Sequence, residues 1–251
     1  MSIFKKKKKV FNFEEAFKAN LKYISQTELN PKIIEKQFVK TNTRNYITIG
    51  QIDVPTGHII VSDPLAYLPT GKYAPTLEQI ITPGKYKVEI SLINNKNIGL
   101  RICTVRLKIK NTKAKKYICA TPTKETAAFI AKDGPMTGFP VDAGMISICD
   151  AKVAKEYQEF MNNWYQKNPH GNHYDDYFAT LLKESYKKYP EYQREDGDFL
   201  EWTNPITNNR LIMTASGLGD GFYQSFFGID EYKEICELII PLINPELFEE
   251  E

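Results

Sequence analysis

The residues Ser216-Gly217-Leu218-Gly219-Asp220-Gly221 form the densest glycine cluster in the sequence. Glycines at this density let a backbone approach a phosphate, provided that a helix follows whose free amides complete the cradle. Here the chain continues as Phe222-Tyr223-Gln224-Ser225-Phe226-Phe227-Gly228, which is aromatic and strand-like. No Lys-Ser or Lys-Thr pair follows, and no βαβ frame surrounds the cluster. It therefore reads as a corner, with Asp220-Gly221 a tight turn between strands, because glycine accepts positive φ without strain.

Aspartates recur at the ends of apolar runs. Asp63 follows Ile59-Ile60-Val61-Ser62 and precedes Pro64, Asp142 lies in Val141-Asp142-Ala143-Gly144, and Asp150 closes Ile148-Cys149. With Asp220, such carboxylates can gather a hard cation, Mg²⁺ or Ca²⁺, or divide acid and base roles across a sugar. Each also has a simpler role as a turn, an Asx motif or a helix cap. Their wide separation along the chain does not by itself show that they meet.

The histidines add little. His170-Gly171-Asn172-His173 has a spacing that can hold a transition metal, but no cysteine stands near it and the His-Glu-x-x-His pattern is absent. An exposed loop is the simpler reading. Cys103, Cys119, Cys149 and Cys236 form no Cys-x-x-Cys pair and sit in apolar stretches, as buried reduced thiols do. That usage fits a reducing compartment and leads to a cytoplasmic expectation. No Gly-x-Ser-x-Gly elbow and no aromatic–basic RNA-recognition pattern occurs.

The elements that must position these residues follow from hydrophobic period. Asn12 caps a helix with Glu15 three residues on, and Phe13, Phe17, Leu21 and Ile24 recur at helical spacing. Asn30-Pro31 opens a second, short helix. From about residue 46 the period becomes two: Val88, Ile90 and Leu92 alternate with Lys87, Glu89 and Ser91. Beyond a polar loop at 94–99, Val105, Leu107 and Ile109 alternate with Arg106, Lys108 and Lys110, an antiparallel hairpin with one wet side. Shorter strands are expected at 58–62, 115–121, 145–149 and 210–215, and again from Ile235 to Ile243. Asp150 caps a helix bearing Val153, Ala154, Tyr157, Phe160, Met161 and Trp164, and Asn172 opens another that Pro190 stops. Residues 191–209 read as a polar excursion.

The expected fold is therefore α+β: β-rich, with mostly antiparallel, sandwich-like sheets, N-terminal helices and a two-helix insertion near 151–189. Residues 1–11 read as a flexible basic end carrying Lys5 to Lys9, and 12–251 as a single domain. The acidic tail, Glu249 to Glu251, reads as solvated. At 251 residues with 42% hydrophobic content, the chain can bury a core without disulfides or metal staples. A net charge of +2 gives no overall field for specific nucleic-acid binding. No run approaches the roughly 20 apolar residues of a membrane span, and no secretory signal is expected.

Four motifs taken in order resemble one bacterial family. They are Gly57-x-Ile59-x-Val61-x-Asp63-Pro64, Pro83-Gly84-x-Tyr86, Val141-Asp142-Ala143-Gly144, and Ser216-Gly217-x-Gly219-Asp220-Gly221-x-Tyr223, with Phe227-Gly228-x-Asp230 beyond. The series is similar to the domain-of-unknown-function family DUF4241, over about residues 45–243. Leu218 departs from it, standing where a bulky aromatic such as Trp is expected. The resemblance implies a bacterial, cytosolic, β-rich protein and carries no chemistry of its own.

Two functional expectations arise. In the first, the chain binds another protein, such as a cognate toxin that it neutralises as an immunity protein, and needs no cofactor. The absence of a catalytic signature and the 15 tyrosines, which suit interface anchors, motivate it. Tyr86, Tyr223 and Phe227 are the candidate contacts, and Gly57, Pro64, Gly84, Gly144, Asp150, Gly217, Gly219, Gly221 and Gly228 are structural. In the second, the chain is a hydrolase or a sugar- or nucleotide-processing enzyme that uses Asp63, Asp142 and Asp220 with Mg²⁺ or Ca²⁺.

Overall fold

Side chains that mimic the missing helical turn start most of the helices. In the computed structural model, which describes residues 11–126, 130–131, 134–135 and 137–249, Asn12 Oδ1 accepts from the amides of Glu14 and Glu15 and opens α1 (Phe13–Ile24). Asn30 does the same for α2 (Pro31–Gln37), where Pro31 costs no bond because the first-turn amides are unpaired anyway. Asp150 caps α3 (Ala151–Lys167). Asn172 caps a π-helical turn (Tyr174–Phe178) that runs into α4 (Ala179–Lys188), so the last helix is entered through a wider turn than its apolar spacing predicts. Lys5 to Lys9 lie outside the described residues.

The strands are β1 (Arg44–Val54), β2 (His58–Ser62), β3 (Thr76–Ile80), β4 (Gly84–Asn95), β5 (Gly99–Lys108), β6 (Lys116–Cys119), β7 (Ile130–Ala131), β8 (Gly134–Pro135), β9 (Phe139–Val141), β10 (Met145–Asp150), β11 (Phe199–Thr203), β12 (Arg210–Ala215), β13 (Gly221–Tyr223), β14 (Phe226–Ile229) and β15 (Ile235–Pro241). They build a six-stranded sheet, β1-β4-β5-β15-β14-β6, and a five-stranded sheet, β11-β12-β10-β2-β3. Two short ribbons, β13-β9 and β7-β8, stand apart. Every strand pairing among the described residues is antiparallel.

Period two decides which sheet faces what. Val88, Ile90, Val105, Leu107, Leu238 and Ile240 share one buried cluster with Ile59, Val61, Ile146, Ile148 and Ile212, which closes a sandwich between the two sheets. The intervening residues of the five-stranded sheet, Ile60, Cys149, Leu211 and Met213, turn the other way. They pack on Val153, Tyr157, Met161, Phe178 and Leu182 in a second core under α3 and α4. β10 is buried along its whole length because both of its faces are covered. On the wet face of the six-stranded sheet, Gln37 Oε1 accepts from Ser91 Oγ and Thr104 Oγ1, and the Phe38 ring lies under the Arg106 guanidinium. The α2 end therefore covers part of that polar surface.

Three expectations are corrected. Residues 191–209 are not simply a polar excursion, because β11 forms there as a sheet edge, with Phe199, Leu200 and Trp202 buried. From Leu200 to Thr203 the run alternates buried and exposed, but it is only five residues long and stands in polar surroundings, which hid it. Asp220-Gly221 is not a hairpin turn: β12 belongs to the five-stranded sheet, whereas β13 pairs with β9. The positive φ values in that loop fall at Gly217 and Gly219. Within the acidic tail, Glu249 is not left to solvent, since its carboxylate takes Thr43 Oγ1 and the Arg44 guanidinium.

Polar ties hold the layers in register. Asp53 of β1 accepts from the Arg210 amide at 3.0 Å and from Arg210 Nε at 2.8 Å, joining the two sheets at one side of the sandwich. Asp150 Oδ2 accepts from the amides of Thr56 and Gly57 and from Thr56 Oγ1, while its Oδ1 caps α3. One carboxylate thus fixes both the β1–β2 turn and the helix start. Gly57 is required in that turn: its φ is +84°, and a Cβ there would lie 2.2 Å from the Ile81 carbonyl oxygen.

Gly57→Ala is expected to destabilise the fold by at least about 2 kcal/mol through strain and collision, read as a lowered urea midpoint at unchanged slope. A second expectation concerns acid. Hydrogen bonding to Arg210 holds the Asp53 carboxyl below the ordinary carboxylate range. A depressed folded pKa contributes stability that is present above the unfolded value, about 3.9, and is lost as pH falls through the folded one. Asp53→Asn should lower stability at neutral pH yet flatten its decline below about pH 4. An unchanged acid limb in chemical denaturation would show that the pair contributes nothing.

Candidate functional site

Three of the four sequence motifs meet at one end of the five-stranded sheet, where β2 ends and β10 begins. Pro64 cannot donate to a ladder and stops β2. Asp63, fully buried, shapes the turn beyond it. Its Oδ1 accepts from the amides of Leu65 and Ala66, both at 2.9 Å, and its carbonyl accepts from Tyr67 and Leu68. Its Oδ2 reaches across to the amides of Asp142, at 2.9 Å, and Ala143, at 2.7 Å. Tyr157 of α3 donates to the Pro64 carbonyl at 2.7 Å, which pins the turn from beneath.

The next amide along is held by another carboxylate. Gly144 N donates to Asp220 Oδ1 at 2.9 Å, and the Gly144 carbonyl accepts from the Ser216 amide. Three successive amides, 142 to 144, are therefore bound by two aspartates from two other motifs. The 216–220 loop is braced internally: Ser216 Oγ donates to the Gly219 carbonyl, and the Tyr223 hydroxyl is shared between the Ser216 and Gly219 carbonyls. The aspartates converge, but they converge on backbone.

The Asp142 side chain differs from the other two. It is exposed, as Asp220 is, but it alone of the three has no hydrogen bond among the described residues. Its charge is felt at Tyr67, whose phenol is pushed up first by partial burial and then by Asp142, Asp63, Tyr73 and Asp220. Tyr67 and Tyr73 meet edge to face at 5.4 Å, and Lys72 lies over the Tyr73 ring. Tyr73 holds φ +56°, an uncommon conformation for a bulky residue. Across the corner, Tyr165 and Tyr174 are each more than a third exposed, and the Tyr165 hydroxyl bonds His173 Nδ1. Burial pushes His173 below the ordinary imidazole value, opposed by a backbone contact to Leu65 and by the Asp63 charge. The exposed-loop reading therefore suits His170 and not His173. Among the described residues, no group of three His, Cys, Asp or Glu side chains is arranged to hold a metal ion.

The remaining candidates lie elsewhere. Asp150 stands at the opposite end of β10. Tyr223 and Phe227 are buried in the core and present no ring to a partner. Tyr86 is half-buried with its hydroxyl on the Thr82 carbonyl, packed against Gly84. Gly221 begins β13, and Gly228 lies against the Glu237 side chain. Sequence reasoning did not single out half-buried Tyr67 and Tyr73 or exposed Tyr165 and Tyr174; the surplus of tyrosine was the signal, but no spacing marked which ones would reach the surface. Beside the corner opens a groove of about 910 Å³, walled by Phe13 and Phe17, Arg101, the 194–198 turn and the 216–219 loop.

The class that these features define is an antiparallel β-sandwich sheathed by helices, with a corner locked by aspartates. A family model described as a protein of unknown function, DUF4241, matches residues 52–240, and the chain belongs to that family. No curated protein matches the chain, and no solved structure does. No helix among the described residues is long and apolar enough to cross a membrane.

Asp63→Asn leaves one oxygen where four amides need two, so it should cost about 3 kcal/mol or more in denaturant unfolding. Asp142→Asn, with no bonded partner to lose, should stay within about 0.5 kcal/mol of the native chain. Equal effects at the two positions would contradict the assigned geometry.

Proposed function

We propose that this protein is a non-catalytic binding module whose partner is another protein, and that the aspartate corner with its tyrosines is the contact face. The observation that carries this reading is the occupation of Asp63 and Asp220 by the amides of residues 142–144. A general acid–base pair needs carboxyl oxygens free to reach a substrate, whereas Asp63 has both of its oxygens on amides and Asp220 has Oδ1 on Gly144, with only its Oδ2 left outward. What the corner offers is a braced platform with half-buried Tyr67 and Tyr73, exposed Tyr165 and Tyr174, and the Asp142 carboxylate. Rigid tyrosines lose little entropy on contact and recur as anchors at interfaces. The exposed carboxylate suits a basic partner, in keeping with electrostatic steering. Within this reading the protein is an immunity protein of the bacterial cytosol, and the partner is the toxin it neutralises.

Co-expression with the product of the neighbouring gene should yield a complex that survives gel filtration. Asp142→Lys should weaken that complex by about tenfold while leaving the melting temperature unchanged. If no complex forms, and the purified chain instead shows Mg²⁺- or Ca²⁺-dependent hydrolysis that Asp142→Asn abolishes, the enzyme reading replaces this one.

A further inference from the structure

The sequence contains five arginines, and four of them pair with a carboxylate: Arg44 with Glu249, Arg106 with Glu89, Arg194 with Asp198, and Arg210 with Asp53. Arg101 has no such partner among the described residues. Its one hydrogen bond runs from Nη1 to the neighbouring Leu100 carbonyl at 2.8 Å. It is half-buried on the wall of the groove, with Arg194 close enough that burial first, and then that second positive charge, push its pKa down. Asp198, the nearest opposite charge, is already engaged by Arg194 through Nε, Nη2 and the backbone amide. Partly desolvating a guanidinium beside a like charge is unfavourable unless an anion completes the arrangement.

The groove offers that anion further donors. The amides of Gly217, Leu218 and Gly219 meet no acceptor among the described residues, although the carbonyls of Ser216 and Gly219 are satisfied by Tyr223. Gly217 sits at φ +76° against the Ile102 carbonyl and so ties this loop to the strand that carries Arg101. Gly219 sits at φ +108°, and a Cβ there would meet nothing within 4 Å, so the loop is open on that side. Successive unpaired amides with alternating φ make a concavity suited to an oxyanion. Phe13 and Phe17 stack on the wall at 6.0 Å and 16°, with Phe13 about half exposed, which leaves a flat apolar surface. Glu195 and Asp196 also line the groove, but both side chains are solvated, and Asp196 faces Lys183.

We propose that this groove binds a small organic oxyanion, a phosphate or carboxylate joined to a flat apolar group, with Arg101 and the 217–219 amides on the anion and Phe13 and Phe17 on the ring. The volume, about 910 Å³, lies within the usual range for small-molecule sites. The proposal does not rest on the partner reading, and either can fail without the other.

The test titrates the full chain at low salt with phenyl phosphate, benzoate and inorganic phosphate, by calorimetry and by amide NMR. Phenyl phosphate or benzoate should bind with Kd in the millimolar range or tighter and move the resonances of Gly217, Leu218 and Gly219. The tighter of the two assigns the head group. Arg101→Met should weaken binding by about tenfold or more, and Phe13→Ala should weaken both aromatic probes but not inorganic phosphate. No binding by any probe up to about 20 mM, or unmoved 217–219 amides, overturns the proposal. Undiminished affinity in a folded Arg101→Met chain does so equally. The NMR arm uses the native chain, so it decides the matter even where a variant fails to fold.

Discussion

A buried carboxylate organises one end of this molecule. Removing Asp63 from water is costly, and only a full set of donors makes it tolerable. Four backbone amides supply that set, two from the adjoining turn and two from a loop distant in sequence. Hydrogen bonds to a charged acceptor are roughly twice as strong as neutral ones, so the two loops hold each other. Gly144 then falls where Asp220 can take its amide, and the glycine-rich loop is anchored in turn. Take away the first tie and the later ones lose their register.

The same device recurs at the far end of β10. Asp150 joins the β1–β2 turn to the start of α3, so the strand is bracketed by acidic residues that bond to backbone. Between the brackets both faces of β10 are covered, one by the opposite sheet and one by helices. Asp53 with Arg210 and Glu249 with Arg44 add ties at the edges, joining elements remote in sequence. Apolar burial supplies the non-directional drive, and these polar links select one register.

The corner and the groove share a wall but differ in chemistry. At the corner, Asp63 and Asp220 bond to backbone amides, and what remains outward is aromatic edge, the Asp142 carboxylate and the second oxygen of Asp220. In the groove, a guanidinium lacks a carboxylate partner and a run of amides lacks acceptors among the described residues. Leu218 lines that groove. Family membership spans residues 52–240, so Phe13 and Phe17 on the groove wall lie outside the matched region.

Local pattern alone revealed much of the scaffold. Period-two alternation marked β4 and β5 because one face is wet, and Asn12, Asn30 and Asp150 marked helix starts because capping involves neighbours along the chain. The ordered motifs pointed to the family for the same reason. The strand at Phe199–Thr203 escaped notice because its alternation runs over only five residues inside a polar stretch. What the aspartates do could not be read from spacing, since hydrogen bonding to amides about eighty positions away depends on how β2, β10 and β12 are stacked side by side. Tertiary packing also decided which tyrosines stayed outside and which arginine lacked a carboxylate. Burial and pairing are properties of the assembled layers, and no short stretch of chain contains them.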